Sequence, residues 1–85
     1  MADYDVVEVK ALDNLKLRVR FADGVSGTVR IMPSHLYGVF EALKHPAVFA
    51  QASCENGFVS WPGDIDLAPD AMHQAIQEKG EWILT

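Results

Sequence analysis

The chain reads as an α+β domain: an antiparallel sheet built on an N-terminal three-stranded meander, plus a second hairpin, with short helices packed on one face. Three observations predict this. Leu15–Met32 alternates apolar and polar residues with period two, the mark of half-buried antiparallel strands. Two dipeptides that favour tight turns, Asp23-Gly24 and Asn56-Gly57, sit between extended runs. Prolines at 33, 46, 62 and 69 cut the remainder into short pieces, and only the piece after Pro69 has the length of a regular helix.

The first strand is expected over Asp5–Leu12, with Val7, Val9 and Ala11 alternating with Glu8 and Lys10. A loop of Leu12-Asp13-Asn14 would pair Ala11 with Leu15, Val9 with Leu17 and Val7 with Val19. Asn14 then takes the left-handed position, which Asn tolerates better than most residues. In the next hairpin parity decides the turn. A two-residue Asp23-Gly24 loop would put Phe21 on the same face as Ser26. A three-residue loop, Ala22-Asp23-Gly24, instead pairs Phe21 with Val25, Val19 with Gly27, Leu17 with Val29 and Leu15 with Ile31. All large apolar groups then share one face, and Gly24, lacking a Cβ, suits the left-handed third position.

Pro33 ends the third strand, and Pro33–Gly38 reads as a helical turn or tight loop. A short helix is expected over Val39–Lys44, closing before Pro46, because the residue preceding a proline is pushed out of the α region. Pro46 suits the first position of another short helix, Ala47–Gln51. Asn56-Gly57 should join Ala52–Glu55 to Phe58–Trp61, with Ala52, Cys54, Val59 and Trp61 on one face. Asp64–Leu67 is a connector or short extended piece. Pro69 opens a helix through Lys79, with Ala68, Met72, Ala75, Ile76 and Lys79 in one stripe and Gly80 as its stop. The tail Glu81–Thr85 is too apolar for a solvated end; it docks as a strand, packs on the helix, or packs on another chain as a homo-oligomer contact.

Hydrophobic residues make up 49% and charged residues 22% of the sequence, which argues against disorder, and residues 1–85 read as a single domain. The net charge of −5 weighs against bulk nucleic-acid binding but leaves room for a local basic patch. Residues 1–40 are balanced, and the excess acid lies in residues 41–85. Cys54 is the sole cysteine, so no intrachain disulfide forms and a reducing compartment is favoured. The acidic opening Met1–Asp5 lacks the apolar core of a leader, and no run has the length of a membrane span. A cytoplasmic protein without membrane contact is the expectation.

The expected registers place Lys10, Lys16 and Arg30 in line across three strands. They set Arg18 opposite Glu8 and Thr28, and Arg20 opposite Ser26. Five of the seven basic residues, Lys10, Lys16, Arg18, Arg20 and Arg30, thus share the polar face of the sheet. Like charges directly opposite one another cost stability, so this is a candidate partner-binding face for an acidic protein or for nucleic acid. The plain alternative is a solvated face of long side chains. Nucleic acid is the weaker reading, since the face has no stacking aromatics.

Other constellations carry less. Asp64–Asp70 has the acidic spacing of a calcium loop, but Pro69 stands at the sixth position and Ala75 at the twelfth. His35, His45, His73 and Cys54 lack the short spacing of a zinc site. Cys54 reads as a buried structural thiol rather than a nucleophile. No catalytic constellation, metal set or cofactor motif is present in the sequence, so an enzyme is not expected; Trp61-Pro62-Gly63 flooring a small pocket is the remaining enzymatic reading.

The order VVEVKALDNLKLRVRFADGVSGTV, then GVFEALKHPAVFAQ, then NGFVSWPGDIDLAPDAM resembles the small bacterial domain of unknown function 2442, from about Val6 to about Met72. Its markers are Phe21, Asp23-Gly24, Phe40–Leu43, Pro46–Phe49, Trp61-Pro62 and Asp66-Leu67. The resemblance implies a compact α+β domain, found alone or fused to a helix-turn-helix. It also implies a second small protein encoded nearby, in a two-gene arrangement similar to toxin–antitoxin pairs. It supplies no catalytic residues. With the chain ending at Thr85, no helix-turn-helix is expected here. The function expected is therefore a small bacterial protein-interaction module, with a nucleic-acid-contacting regulatory domain as the alternative.

Overall fold

The computed structural model describes residues 4–85; residues 1–3, counted above against a leader, lie outside the described residues. Strands β1 (Val6–Leu12), β2 (Lys16–Phe21), β3 (Ser26–Ile31) and β6 (Glu81–Leu84) form one sheet in the order β1-β2-β3-β6. Strands β4 (Ser60–Trp61) and β5 (Ile65–Asp66) form a second, two-stranded sheet. Two 3₁₀ turns, Pro33–His35 and Gly38–Lys44, a one-turn helix α1 (Pro46–Phe49) and the helix α2 (Pro69–Lys79) complete the α+β fold.

The β2–β3 hairpin has the register that parity predicts. Leu17 faces Val29, Val19 faces Gly27 and Lys16 faces Arg30. The Phe21 N–H donates to the Val25 carbonyl at 2.8 Å, and Gly24 sits at φ 90°. Leu17, Val19, Phe21, Val29 and Ile31 are all buried on the covered face. Each such side chain contributes roughly 1.5–3 kcal/mol on burial, so this alternation anchors the fold.

The β1–β2 register differs from the expected one by two residues. Val9 faces Val19, Ala11 faces Leu17 and Leu12 faces Lys16, so the loop is Asp13-Asn14-Leu15. Asn14 is left-handed as expected, at φ 62°, but Leu15 is left-handed too, at φ 58°. A shift of two keeps Val9 and Ala11 pointing inward, while at the start of β1 Val6, rather than the expected Val7, is buried. It also allows a bulge between Val6 and Glu8 that sets Val6 opposite Phe21. Val6 is thereby only 2% exposed, and its burial offsets a strained loop residue.

The tail is the fourth strand. It runs parallel to β3, with Thr28 facing Glu81, Val29 facing Trp82, Arg30 facing Ile83 and Ile31 facing Leu84. The sheet is therefore mixed rather than wholly antiparallel. The helix α2 has the expected bounds and buries Met72 and Ile76, while Lys79, placed in the same stripe by spacing, is exposed. Its cap is Gly80, whose N–H donates to the Ile76 carbonyl at 2.7 Å. The helix end lies so close to β3 that a Cβ on Gly27 would stand 2.6 Å from both the Gly80 carbonyl oxygen and Ile76 Cγ2.

The second hairpin also moves. Around Asn56-Gly57 only Ser53 and Ser60 pair, in the expected register. The Gly57 carbonyl instead accepts the Val6 N–H at 2.8 Å, drawing the turn onto the start of β1. The regular hairpin is β4–β5, with Trp61 facing Ile65 around Pro62-Gly63-Asp64. Trp61 is core: its indole Nε1–H donates to the Phe49 carbonyl at 2.9 Å, and its ring stacks on Phe49 at 5.9 Å. Val39–Lys44 forms a 3₁₀ rather than an α turn; it buries Leu43 and leaves Val39 60% exposed.

A polar clasp ties the β2–β3 turn to α2. His73 Nε2–H donates to the Asp23 carboxylate at 2.8 Å, and the ring meets Phe21 edge-on at 4.8 Å. The Val25 N–H first, and the His73 contact second, hold the Asp23 carboxyl below its ordinary value of 3.8. A carboxyl depressed in this way stabilises the fold above its unfolded value. That contribution fades as pH falls from about 3.8 through the lower folded value.

Two outcomes are expected. Gly27→Ala loses about 1–3 kcal/mol, by overpacking against backbone, in urea unfolding; an unchanged midpoint would contradict the close approach of α2 to β3. Asp23→Asn is less stable than wild type at neutral pH, and the gap narrows once pH falls below about 4. Urea midpoints measured across that range check this, and a constant gap would show that the Asp23 charge is not linked to folding.

Candidate functional site

Alternation directs Lys10 of β1, Lys16, Arg18 and Arg20 of β2, and Arg30 of β3 to the uncovered side of the four-stranded sheet. Lys10, Arg18 and Arg20 are exposed, and Lys16 and Arg30 are half-buried. The structure thus gathers all five predicted residues on one face. Their neighbours differ from the expected ones. The rungs across the sheet are Glu8–Arg20–Ser26, Lys10–Arg18–Thr28–Glu81 and Leu12–Lys16–Arg30–Ile83. Lys10 is therefore opposite Arg18, not in line with Lys16 and Arg30, and Glu8 is opposite Arg20 rather than Arg18. The two-residue shift of β1 is the cause.

Two of the cations have acidic partners. Arg20 bonds the Glu8 carboxylate through Nε at 3.2 Å and through Nη2. Arg30 Nη1 lies 3.6 Å from Glu81 Oε1. Such exposed pairs contribute at most about 1 kcal/mol. Lys10, Lys16 and Arg18 have no ion-pair partner among the described residues. Two like-charged pairs, Lys10 with Arg18 and Lys16 with Arg30, stand directly across neighbouring strands, where repulsion costs stability.

The face carries two shallow depressions. One, of about 530 Å³, runs past Lys10, Arg18 and Arg20 to a wall formed by Ala52, Ser53 and Cys54. The other, of about 560 Å³, lies at the opposite end among Leu12, Lys16, Thr28, Arg30 and Lys79. Sequence reasoning missed Leu12, Lys79 and Ile83 as members of this surface. Leu12 joins it through the β1 register, Lys79 through the helix end and Ile83 through the parallel docking of β6. Leu12 and Ile83 are 36% and 45% exposed, which leaves two apolar side chains on an otherwise polar face.

The remaining candidates disperse. Asp64 lies in the β4–β5 loop at φ 63°, Asp66 in β5, and Asp70 accepts the Ala71 N–H in the first turn of α2. His73 is in the clasp, and His35 packs against Phe40 at 4.7 Å, with Nδ1 3.4 Å from the Thr85 carbonyl. Among the described residues no group of three or more His, Cys, Asp or Glu could hold a metal ion. Nor is any helix among them long and apolar enough to cross a membrane. Trp61, only 4% exposed, is packed in the core against Phe49. Cys54 is half-buried, and desolvation, then the charges of Glu8 and Glu55, push its thiol above the ordinary 9.0.

These elements define a small α+β domain with one sheet face covered and the other bare and basic. A family model described as protein of unknown function, DUF2442, matches residues 6–78, and the chain belongs to this family. No curated protein and no solved structure matches the chain.

Because the thiolate is the reactive form, Cys54 should be alkylated by iodoacetamide at neutral pH more slowly than free cysteine. Glu8→Gln and Glu55→Gln should each raise the rate, and a native rate above that of free cysteine would overturn this reading.

Proposed function

We propose that the chain is a protein-docking module of the bacterial cytoplasm, and that its bare sheet face receives an acidic partner through Lys10, Lys16, Arg18, Arg20 and Arg30. The observation that carries this is the unbalanced charge on that face. Three cations lack a partner among the described residues. Two like-charged pairs are held directly across strands, in a protein whose net charge is −5. An acidic partner surface relieves that repulsion and gains charge-assisted contacts. The family resemblance adds where to look: the product of a neighbouring gene, in a two-gene arrangement similar to toxin–antitoxin pairs.

The stacking aromatics that sheets use to hold single strands are missing from the uncovered rungs, and this favours protein over nucleic acid. The test is capture of a stoichiometric partner by the tagged chain from its native extract, followed by titration of the purified partner. Arg18→Glu and Lys16→Glu are each expected to weaken binding about tenfold, and binding is expected to fall with salt. Binding unaffected by either reversal, or no partner from an extract in which the neighbouring gene is expressed, would sink the reading. Salt-sensitive binding of RNA or DNA in place of protein would transfer the face to the nucleic-acid reading.

A further inference from the structure

The chemistry of the occupant can be read from the middle of the face, and this step rests on the docking reading above. The outward row of β2 is wholly cationic: Lys16, Arg18 and Arg20. Alternate residues of a strand lie roughly 6.6–6.8 Å apart along its axis. A carboxylate row that matches has nearly the same step. Residues four apart on an α-helix are about 6 Å apart along its axis and lie on one side. An extended acidic segment with alternate carboxylates has the step as well. Laid on a sheet face, however, it would bury backbone N–H and C=O groups with nothing to pair them. A helix satisfies its own.

The flanks of the row add a second constraint. On the Lys16 rung the neighbours are Leu12 on one side and Arg30 then Ile83 on the other. Leu12 and Ile83 are the exposed apolar residues of the face. The row flanking β2 on β3 is Ser26, Thr28 and Arg30, two hydroxyls and a cation. The occupant therefore needs carboxylates along its centre and apolar residues on both flanks at the end that meets Lys16. We infer that the partner element is an acidic amphipathic helix lying along β2, with carboxylates at i, i+4 and i+8 over Lys16, Arg18 and Arg20, and apolar residues at i−3 and i+3 against Leu12 and Ile83.

The helix lies on the side of the sheet opposite α2, which packs on β3 and β6, so the sheet becomes the middle layer between two helices. Lys79 and Arg30 border the Leu12–Lys16 end of the seat, adding positive charge where the apolar flanks close. Glu8 and Glu81 mark its edges: each sits on an edge strand and is drawn toward a cation, Glu8 to Arg20 and Glu81 to Arg30. A carboxylate stripe fits between these two edges and not over them.

The probe is an alanine-based helical peptide with Glu at i, i+4 and i+8 and Leu at i−3 and i+3. Its control has the same composition with the Glu residues spread around the helix. In fluorescence anisotropy with the full chain, the striped peptide is expected to bind at least about tenfold more tightly than the control. Arg18→Glu, with Arg18→Ala as a milder second variant, removes most of that difference, and Ile83→Asp removes part of it. Circular dichroism of the mixture shows the peptide bound as a helix. Equal binding of both peptides, no effect of Arg18→Glu in a folded variant, or a peptide bound in extended form would overturn the inference. So would stronger binding of duplex DNA or RNA at the same residues, or a dimer of the chain that Ile83→Asp abolishes. A natural partner that needs the same cations but docks a loop or strand overturns the helix and leaves the docking reading standing. A partner indifferent to the cations removes both.

Discussion

The fold depends on one constraint: Leu17, Val19 and Phe21 must all point to the same side of β2. These three are at most 1% exposed, the most completely buried consecutive set of a strand face in the chain. A slip of one residue against either neighbour would turn that neighbour's apolar residues to water. A slip of two would not. That difference explains why the β2–β3 register agrees with parity while the β1–β2 register departs from the simplest hairpin and still keeps Val9 and Ala11 on the covered side. With the middle of β1 facing as before, the choice passes to smaller terms: Val6 finds Phe21 through a bulge, Leu15 takes a left-handed conformation in the loop, and Glu8 reaches Arg20.

A second approach closes the layer. Gly27 leaves the space in which the end of α2 rests on β3, and the Gly80 carbonyl there accepts the Thr28 N–H at 3.3 Å. From that point the chain enters β6 alongside β3 and in the same direction. Trp82 and Leu84 turn toward the core, and Ile83 turns to the uncovered face. The apolar tail thus covers Trp82 and Leu84 in part within its own chain, while Ile83 remains 45% exposed. The clasp of Asp23 and His73 holds the other end of the helix region against the β2–β3 turn.

The sides of the sheet then divide the work. The covered side gives stability through apolar burial. The uncovered side holds its cations across from one another, where like charges cost stability, and leaves three without acidic partners among the described residues. The membership of that face was legible in the sequence, because alternation alone sorts Lys10, Lys16, Arg18, Arg20 and Arg30 to one side. Its neighbours were not. Which cation meets which acid depends on register, and a shift of two residues is invisible to a period-two pattern. Leu12 and Ile83 were hidden for the same kind of reason: one depends on the β1 loop, the other on the direction in which the tail docks.

The sequence by itself determined the α+β class, the inward set of β2 and β3, the left-handed turn at Gly24, and the bounds of α2 from Pro69 to Lys79. These follow from local rules: side-chain alternation, backbone freedom at glycine, and proline and glycine at helix ends. Only the tertiary structure decided the β1 register, the shift of the second hairpin from residues 52–61 to residues 60–66, and the parallel fourth strand. Each turns on a contact between distant segments. Phe21 selects Val6, the Val6 N–H donates to the Gly57 carbonyl and ties that turn to β1, and Gly27 admits the helix that delivers the tail. Local propensity has no access to such contacts, because their energy exists only once the chain has closed on itself.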